Sequence, residues 1–184
     1  MFDRVLDEID CDKIHINDSL QAERAITDLY NSGCRNIAYF SAIPFTSVDT
    51  ERKSGYLDAA KNLKIKKRIV YFDTTHFPED QLKKLVQQEK IDGILASDEL
   101  AAILVMKNAL MNGIQIPKEL SVIGFTNGLM GEHFIPSLST VDQNAEEQGK
   151  LAMELVVDRI EGKVECEPIE YKLETSIIHK GSTR

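Results

Sequence analysis

Residues 91–125 constrain this chain most, because they read as strand, helix and strand with a signal at every change. The run Ile91-Asp92-Gly93-Ile94-Leu95-Ala96 is largely apolar and ends on the polar pair Ser97-Asp98. Asp98 stands where a helix N-cap belongs, its carboxylate able to accept first-turn amides that lack a partner inside the helix. Residues 101–111 supply good helix formers, Gly113 ends the helix, and Pro117 marks the loop before the apolar run Ser121-Val122-Ile123-Gly124-Phe125. Two apolar strands joined through a helix pair in parallel, and a parallel sheet is covered on both faces.

The same alternation runs through most of the chain. Residues 13–16 form a short strand. Asp18 or Ser19 caps a helix running to Asn31, with Ala22, Ala25, Ile26 and Leu29 as its apolar stripe and Gly33 as its stop. Residues 36–41 read as a buried strand, 43–50 as a turn-rich loop and 51–62 as a helix. A strand at 68–72 and a helix at 79–89, with Pro78 in its first turn, precede the central unit. The fold class expected is α/β, a doubly wound parallel sheet. After Phe125 the rhythm breaks. Residues 126–139 form a loop, Thr140-Val141-Asp142 a brief strand, and residues 144–160 a helix. That helix carries Ala145, Gly149, Ala152 and Val156 on one face and Leu151 and Leu155 on another, the pattern of a helix packed on two sides. Residues 169–173 and 176–179 alternate as a half-exposed antiparallel pair would.

At 42% hydrophobic and 28% charged, the 184 residues can build a real core. The net charge of −8 repels phosphate backbones, so direct nucleic-acid binding by this segment is not expected. The short basic stretch at Lys64, Lys66, Lys67 and Arg68 reads as a solvated turn. Cys11, Cys34 and Cys166 are odd in number and lack metal-ligand spacing, the usage of a reducing compartment. No apolar run approaches the roughly 20 residues of a membrane span. The expected location is the cytoplasm, with no membrane contact and no metal or other cofactor.

In open α/β sheets, ligands meet the loops at the carboxyl ends of the strands. There the sequence gathers Phe45, Thr46 and Asp49, then Asp73, Thr74, Thr75 and His76, then Ser97 and Asp98, then Thr126 and Asn127. Hydroxyls, amides and carboxylates of this kind suit a polyol. Arg52 opens the helix after the 43–50 loop, where a cation opposes the macrodipole. It is either a binding residue or an exposed arginine paired with Asp49 or Glu51. Nothing resembles a nucleophile elbow, phosphate loop, dinucleotide fingerprint or metalloprotease helix, so no catalytic residue and no enzyme activity is expected.

A family resemblance rests on motifs spread over essentially the whole chain. Phe2-Asp3-Arg4 leads into residues 14–18, and Leu29-Tyr30-Asn31-Ser32-Gly33-Cys34-Arg35-Asn36-Ile37-Ala38 follows. Then come Arg52-x-x-Gly55-Tyr56, Ser97-Asp98, Ile116-Pro117, residues 120–125, and Pro136-x-Leu138-Ser139-Thr140-Val141-Asp142-Gln143. In order and spacing these resemble the effector-binding region of LacI/GalR-family transcriptional regulators. The resemblance implies a periplasmic-binding-protein-like I fold, with a complete C-terminal lobe and a remnant of the N-terminal lobe. Residues 1–16 would belong to that remnant, 17–142 to the C-terminal lobe, 143–163 to an N-terminal-lobe helix and 164–184 to the return, with crossovers near Asn17, Asp142 and Val164. The helix-turn-helix domain and hinge helix of family members have no counterpart before Met1, so the chain looks like a truncated piece. DNA contact would belong to that absent domain.

The resemblance also implies roles. Arg52 would offer a fork of hydrogen bonds to the hydroxyls or a carboxylate of a small, carbohydrate-like effector. Ser97 and Asp98 occupy a strand-end site, Thr126 stands where many members carry a sugar-gripping aspartate, Asn127 follows it, and Gln143 lies at a crossover. Phe45 either stacks on a sugar face or anchors its loop in the interior. Leu129, Met130 and Phe134 match part of a homodimer interface, or else pack locally under their loop. A periplasmic-type solute-binding protein shares the fold and is the alternative.

Overall fold

A computed structural model describes residues 1–6, 8–126, 128–165 and 167–184. In chain order the elements are β1 (Lys13–Ile16), α1 (Asp18–Asn31), β2 (Ile37–Ser41), α2 (Ser47–Asn62), β3 (Ile69–Tyr71), α3 (Glu79–Gln87) and β4 (Gly93–Ala96). They continue with α4 (Glu99–Met111), β5 (Ser121–Phe125), α5 (Leu129–His133), β6 (Ser139–Val141), α6 (Ala145–Ile160), β7 (Glu170–Leu173) and β8 (Ile177–Ile178).

The main sheet has the order β3-β2-β4-β5-β6-β8 and is parallel except for β8, which runs antiparallel to β6. From β2 the chain steps outward to β3 and then back to the other side for β4. Strand order therefore reverses between β2 and β4, the place where open α/β sheets open a crevice at their carboxyl ends. Alternation along the strands divides the core. Ala38, Phe40, Val70, Ile94 and Val122 pack with α3 and α4, whereas Ile37, Tyr39, Leu95 and Ile123 pack with α1 and α2. β2, β4 and β5 are buried on both faces, as their unbroken apolar runs require.

Helix starts differ from expectation in two informative places. Asn17, not Asp18, caps α1, its Oδ1 accepting the Leu20 amide at 3.1 Å. Asp18 cannot serve because its carboxylate is engaged elsewhere. α2 begins at Ser47 rather than Glu51, because Thr46 Oγ1 accepts the Asp49 amide at 3.1 Å and the supposed loop becomes the first turn. Arg52 thus sits beyond that turn, where the macrodipole conflict fades. α4 begins as read, with Asp98 Oδ1 accepting the Ala101 amide at 2.9 Å.

The tail corrects a further reading. β7 and β8 do not pair with each other. β7 lies parallel to β1 in a separate two-stranded sheet, register Lys13 to Glu170 through Ile16 to Leu173, and only β8 joins the main sheet. The chain therefore leaves the small sheet after Leu173 rather than near Val164, because β1 offers an open edge that the sequence of residues 170–173 can zip along. Near the start, an isolated parallel bridge joins Phe2 to Ile14. Asp12 ties this small unit together. It accepts Arg159 Nε at 3.0 Å and Nη2 at 2.7 Å, and the Ile169 amide at 2.8 Å. The Arg159 bond holds the Asp12 carboxyl below the usual carboxylate range. α6 packs within its own chain on one side only: Gln148 and Leu155 are buried, while Met153, Val156, Val157 and Ile160 are exposed.

Candidate functional site

Arg52 organises the rim. Only 2% exposed, it is carried inward by α2. Its Nε donates to Asp18 Oδ1 at 2.5 Å, and its Nη1 donates to the Ser97 carbonyl at 2.6 Å. The guanidinium carbon lies over Phe125, 4.0 Å from the ring centroid. One side chain thereby joins the start of α1, the end of β4 and the end of β5. Its third corner, Nη2, is buried without a partner. Neither Asp49 nor Glu51 pairs with it, so the exposed-arginine reading is corrected. A guanidinium keeps its charge at any physiological pH, and burying it is tolerable only because carboxylate, carbonyl and ring face are all in place.

The partners are tuned by the same burial. Desolvation pushes the Asp18 carboxyl upward, while the Arg52 charge and hydrogen bond pull it down. One helical turn before Arg52, Asp49 Oδ1 accepts the Tyr39 hydroxyl at 2.8 Å, and its other oxygen is buried with no partner. Burial, reinforced by the Asp49 carboxylate, pushes the Tyr39 phenol so far up that it remains a donor. An open donor on Arg52 and an open acceptor on Asp49 thus occur three residues apart on one helix face.

The remaining candidates fall around this centre to different degrees. Ser97 is fully buried, donating from Oγ to Asp98 Oδ2 at 2.6 Å and accepting the Ala42 amide at 3.3 Å. Thr126 is buried at the end of β5, where its Oγ1 accepts the Gly128 amide at 2.6 Å and its own amide donates to Val141 at 3.2 Å. Gln143, two residues beyond β6, gives its carbonyl to Gln148 Nε2 at 2.6 Å. Asn127 and Cys166 lie outside the described residues. Phe45 is fully exposed, with φ of +71°, so the reading of it as a buried loop anchor is corrected. Leu129 and Met130 are exposed on α5, whereas Phe134 packs against the α3–α4 core. A cleft of about 380 Å³ opens beside the Asp18–Arg52 pair, between the N-terminal stretch, the small sheet and the starts of α1 and α2. Asn17, Asp18, Phe45, Thr46, Glu51 and Glu170 are among its walls.

Sequence reasoning missed Asp18 and Tyr39 as members of this cluster. Tyr39 sits at a position of β2 that faces α2, so strand alternation could have placed its hydroxyl near the first turn of that helix. Among the described residues, no group of His, Cys, Asp or Glu side chains is arranged to hold a metal ion, and no helix is long and apolar enough to cross a membrane.

The family model described as "Periplasmic binding protein-like domain" matches residues 26–183. The chain belongs to that family. Among its relatives, the ribose operon repressor of Halalkalibacterium halodurans is 27% identical over 168 residues, covering 89% of this chain and 50% of that protein. The HTH-type transcriptional repressor PurR of Vibrio atlanticus is 28% identical over 180 residues, covering 94% of this chain and 53% of the repressor. A solved periplasmic binding protein/LacI transcriptional regulator from Alkaliphilus metalliredigens, complexed with D-xylulofuranose, superposes with a TM-score of 0.87 at 27% identity. That superposition covers 100% of this chain and 69% of the solved one. This periplasmic-binding-protein-like chain thus spans about half the length of the curated relatives it matches, and those relatives are named regulators rather than enzymes.

Proposed function

We propose that this chain is the effector-binding and dimerisation portion of a LacI-type DNA-binding transcriptional regulator whose effector is a small neutral carbohydrate. The observation that carries the reading is Arg52: a guanidinium buried at the strand-order reversal, locked on two corners and without a hydrogen-bond partner on the third. Asp18 accepts from it and Asp49 stands one turn earlier on the same helix, so the charge of the guanidinium is already met by carboxylate. Such a balance favours hydroxyl groups, which both donate and accept, over an anionic ligand. The names of a ribose operon repressor and of a D-xylulofuranose complex among the relatives support the same ligand class.

Arg52, Ser97, Asp98, Thr126, Gln143 and Phe45 are the proposed effector contacts, and Asn127 keeps the same assignment from the sequence. Leu129 and Met130 form part of the proposed homodimer interface. A ligand held between Arg52 and the small-sheet side of the cleft stabilises one arrangement of the two parts, and that bias is what a DNA-binding domain in the whole cytoplasmic protein would read.

The test is a titration with D-ribose, D-xylulose and D-glucose followed by saturation-transfer NMR, which registers weak binding. Saturable binding of at least one sugar is expected. Arg52→Lys, which keeps the charge and loses the fork, should weaken it by about tenfold or more. Absence of saturable binding, or binding indifferent to Arg52→Lys, would overturn the reading.

A further inference from the structure

The polar rim continues past Arg52 to the edge of the sheet. There a groove of about 450 Å³ lies between the loops that follow β2 and β3, bounded by Ala42, Pro44, Tyr71, Phe72, Asp73 and Thr74. Tyr71 ends the edge strand β3, in register with Ser41 of β2. Its neighbours Val70 and Phe72 are buried in the α3–α4 core, so strand alternation sends Tyr71 to the opposite face, where it is 45% exposed. Lys53, the residue after Arg52 on α2, places Nζ 5.8 Å from the Tyr71 ring centroid. Pro44 of the groove and Phe45 of the cleft beside Asp18 are consecutive residues, so the two hollows neighbour each other along this loop.

Its chemistry is two-sided. Tyr71 and Pro44 present flat apolar surface, and Phe45, next along the chain and a wall of the neighbouring cleft, has its side chain wholly in solvent on a backbone at φ +71°. That conformation is uncommon for a bulky residue and costs on the order of 1–3 kcal/mol, so something over-determines it. Polar groups edge the same surface. Asp73 Oδ1 accepts both the amide and the hydroxyl of Thr75 at 2.7 Å, while the carboxylate remains exposed. A pyranose ring has this pairing of surfaces, with a C–H face suited to an aromatic ring and a hydroxyl rim suited to carboxylate and threonine. An acyl chain or apolar peptide side chain would leave the polar rim unmatched.

We infer that this groove is a second sugar subsite, so that the effector is a disaccharide or longer saccharide with one ring at Arg52 and the next on Tyr71. Phe45 flanks the junction between the rings, and Asp73 and Thr74 accept hydroxyls of the outer ring. The inference rests on the effector reading of the Arg52 site.

Both parts are tested by titrating the chain with D-ribose, D-xylulose, D-glucose, sucrose, maltose and cellobiose under saturation-transfer NMR. At least one disaccharide is expected to bind about tenfold more tightly than the best monosaccharide, the scale of one added aromatic stack. Tyr71→Ala, at an exposed position outside the Arg52 site, should reduce disaccharide affinity by about fivefold or more and leave monosaccharide affinity unchanged, whereas Phe45→Ala should weaken both. Monosaccharide binding that depends on Arg52, with no disaccharide preference or with a preference that survives Tyr71→Ala, would overturn the second subsite alone. If no saccharide binds, the effector reading and the subsite both fail.

Discussion

Asp18→Ala should destabilise the chain by about 3–5 kcal/mol, the usual consequence of stripping one member from a buried ion pair. The geometry explains so large an effect. Arg52 is nearly inaccessible and its Nε donates to Asp18 at 2.5 Å, so the variant leaves a full charge in a low-dielectric site. The Ser97 carbonyl and the Phe125 face remain, but neither neutralises it. Urea denaturation measures the loss directly. Replacing both members by apolar residues of similar size, Asp18→Leu with Arg52→Met, should recover most of the stability while removing the ligand-facing fork. A loss below about 1 kcal/mol for Asp18→Ala would mean that the guanidinium is solvated in the native state.

Gly55→Ala is the second large expectation. A Cβ at that position would sit 1.9 Å from the Ser19 carbonyl oxygen, 2.8 Å from its carbon and 2.9 Å from the Ala22 Cβ. Intrinsic helix propensity favours alanine over glycine by about 1 kcal/mol. The obstacle here is the backbone of α1, which cannot rotate aside, so the two helices must separate along their contact. Overpacking of this kind costs about 1–3 kcal/mol and sometimes more, and here the upper end is expected. Thermal unfolding should show a lower midpoint. A raised midpoint would show that α1 and α2 are further apart than described. This contact gives the glycine of the Arg-x-x-Gly-Tyr motif a structural role separate from that of Arg52.

What the sequence made legible was governed by local, periodic chemistry. The apolar runs at residues 37–41, 93–96 and 121–125 announced buried parallel strands, and Asp98 announced α4 because an N-cap acts within one turn. Non-local partners were hidden. Asp18 looked like a cap because its real partner, Arg52, is 34 residues away and nothing local marks the pair. For the same reason Asn17 was passed over, although it is the better-placed oxygen once Asp18 is committed. The first turn of α2 reads as loop in the sequence because Thr46, Ser47, Asp49 and Thr50 are equally the residues of turns and of helix starts. The pairing of β7 with β1 joins segments more than 150 residues apart, and a strand that could pair with either neighbour is decided by which edge is open.

Of the rim residues, Arg52, Ser97 and Thr126 gather around the ends of β4 and β5, as strand-end logic requires. Asp49 and Tyr39 add the acceptor and donor that such logic leaves unranked, since burial rather than residue type singles them out.

In the proposed site, Arg52 Nη2 is the group that meets the ligand. Nitrogen-detected NMR of the arginine side chains during a sugar titration follows that group without altering it. The Arg52 guanidinium signals should shift and their exchange with water should slow as sugar saturates, while those of Arg159, held by Asp12 in the small unit, stay fixed. Sugar binding that leaves the Arg52 signals unmoved would contradict it.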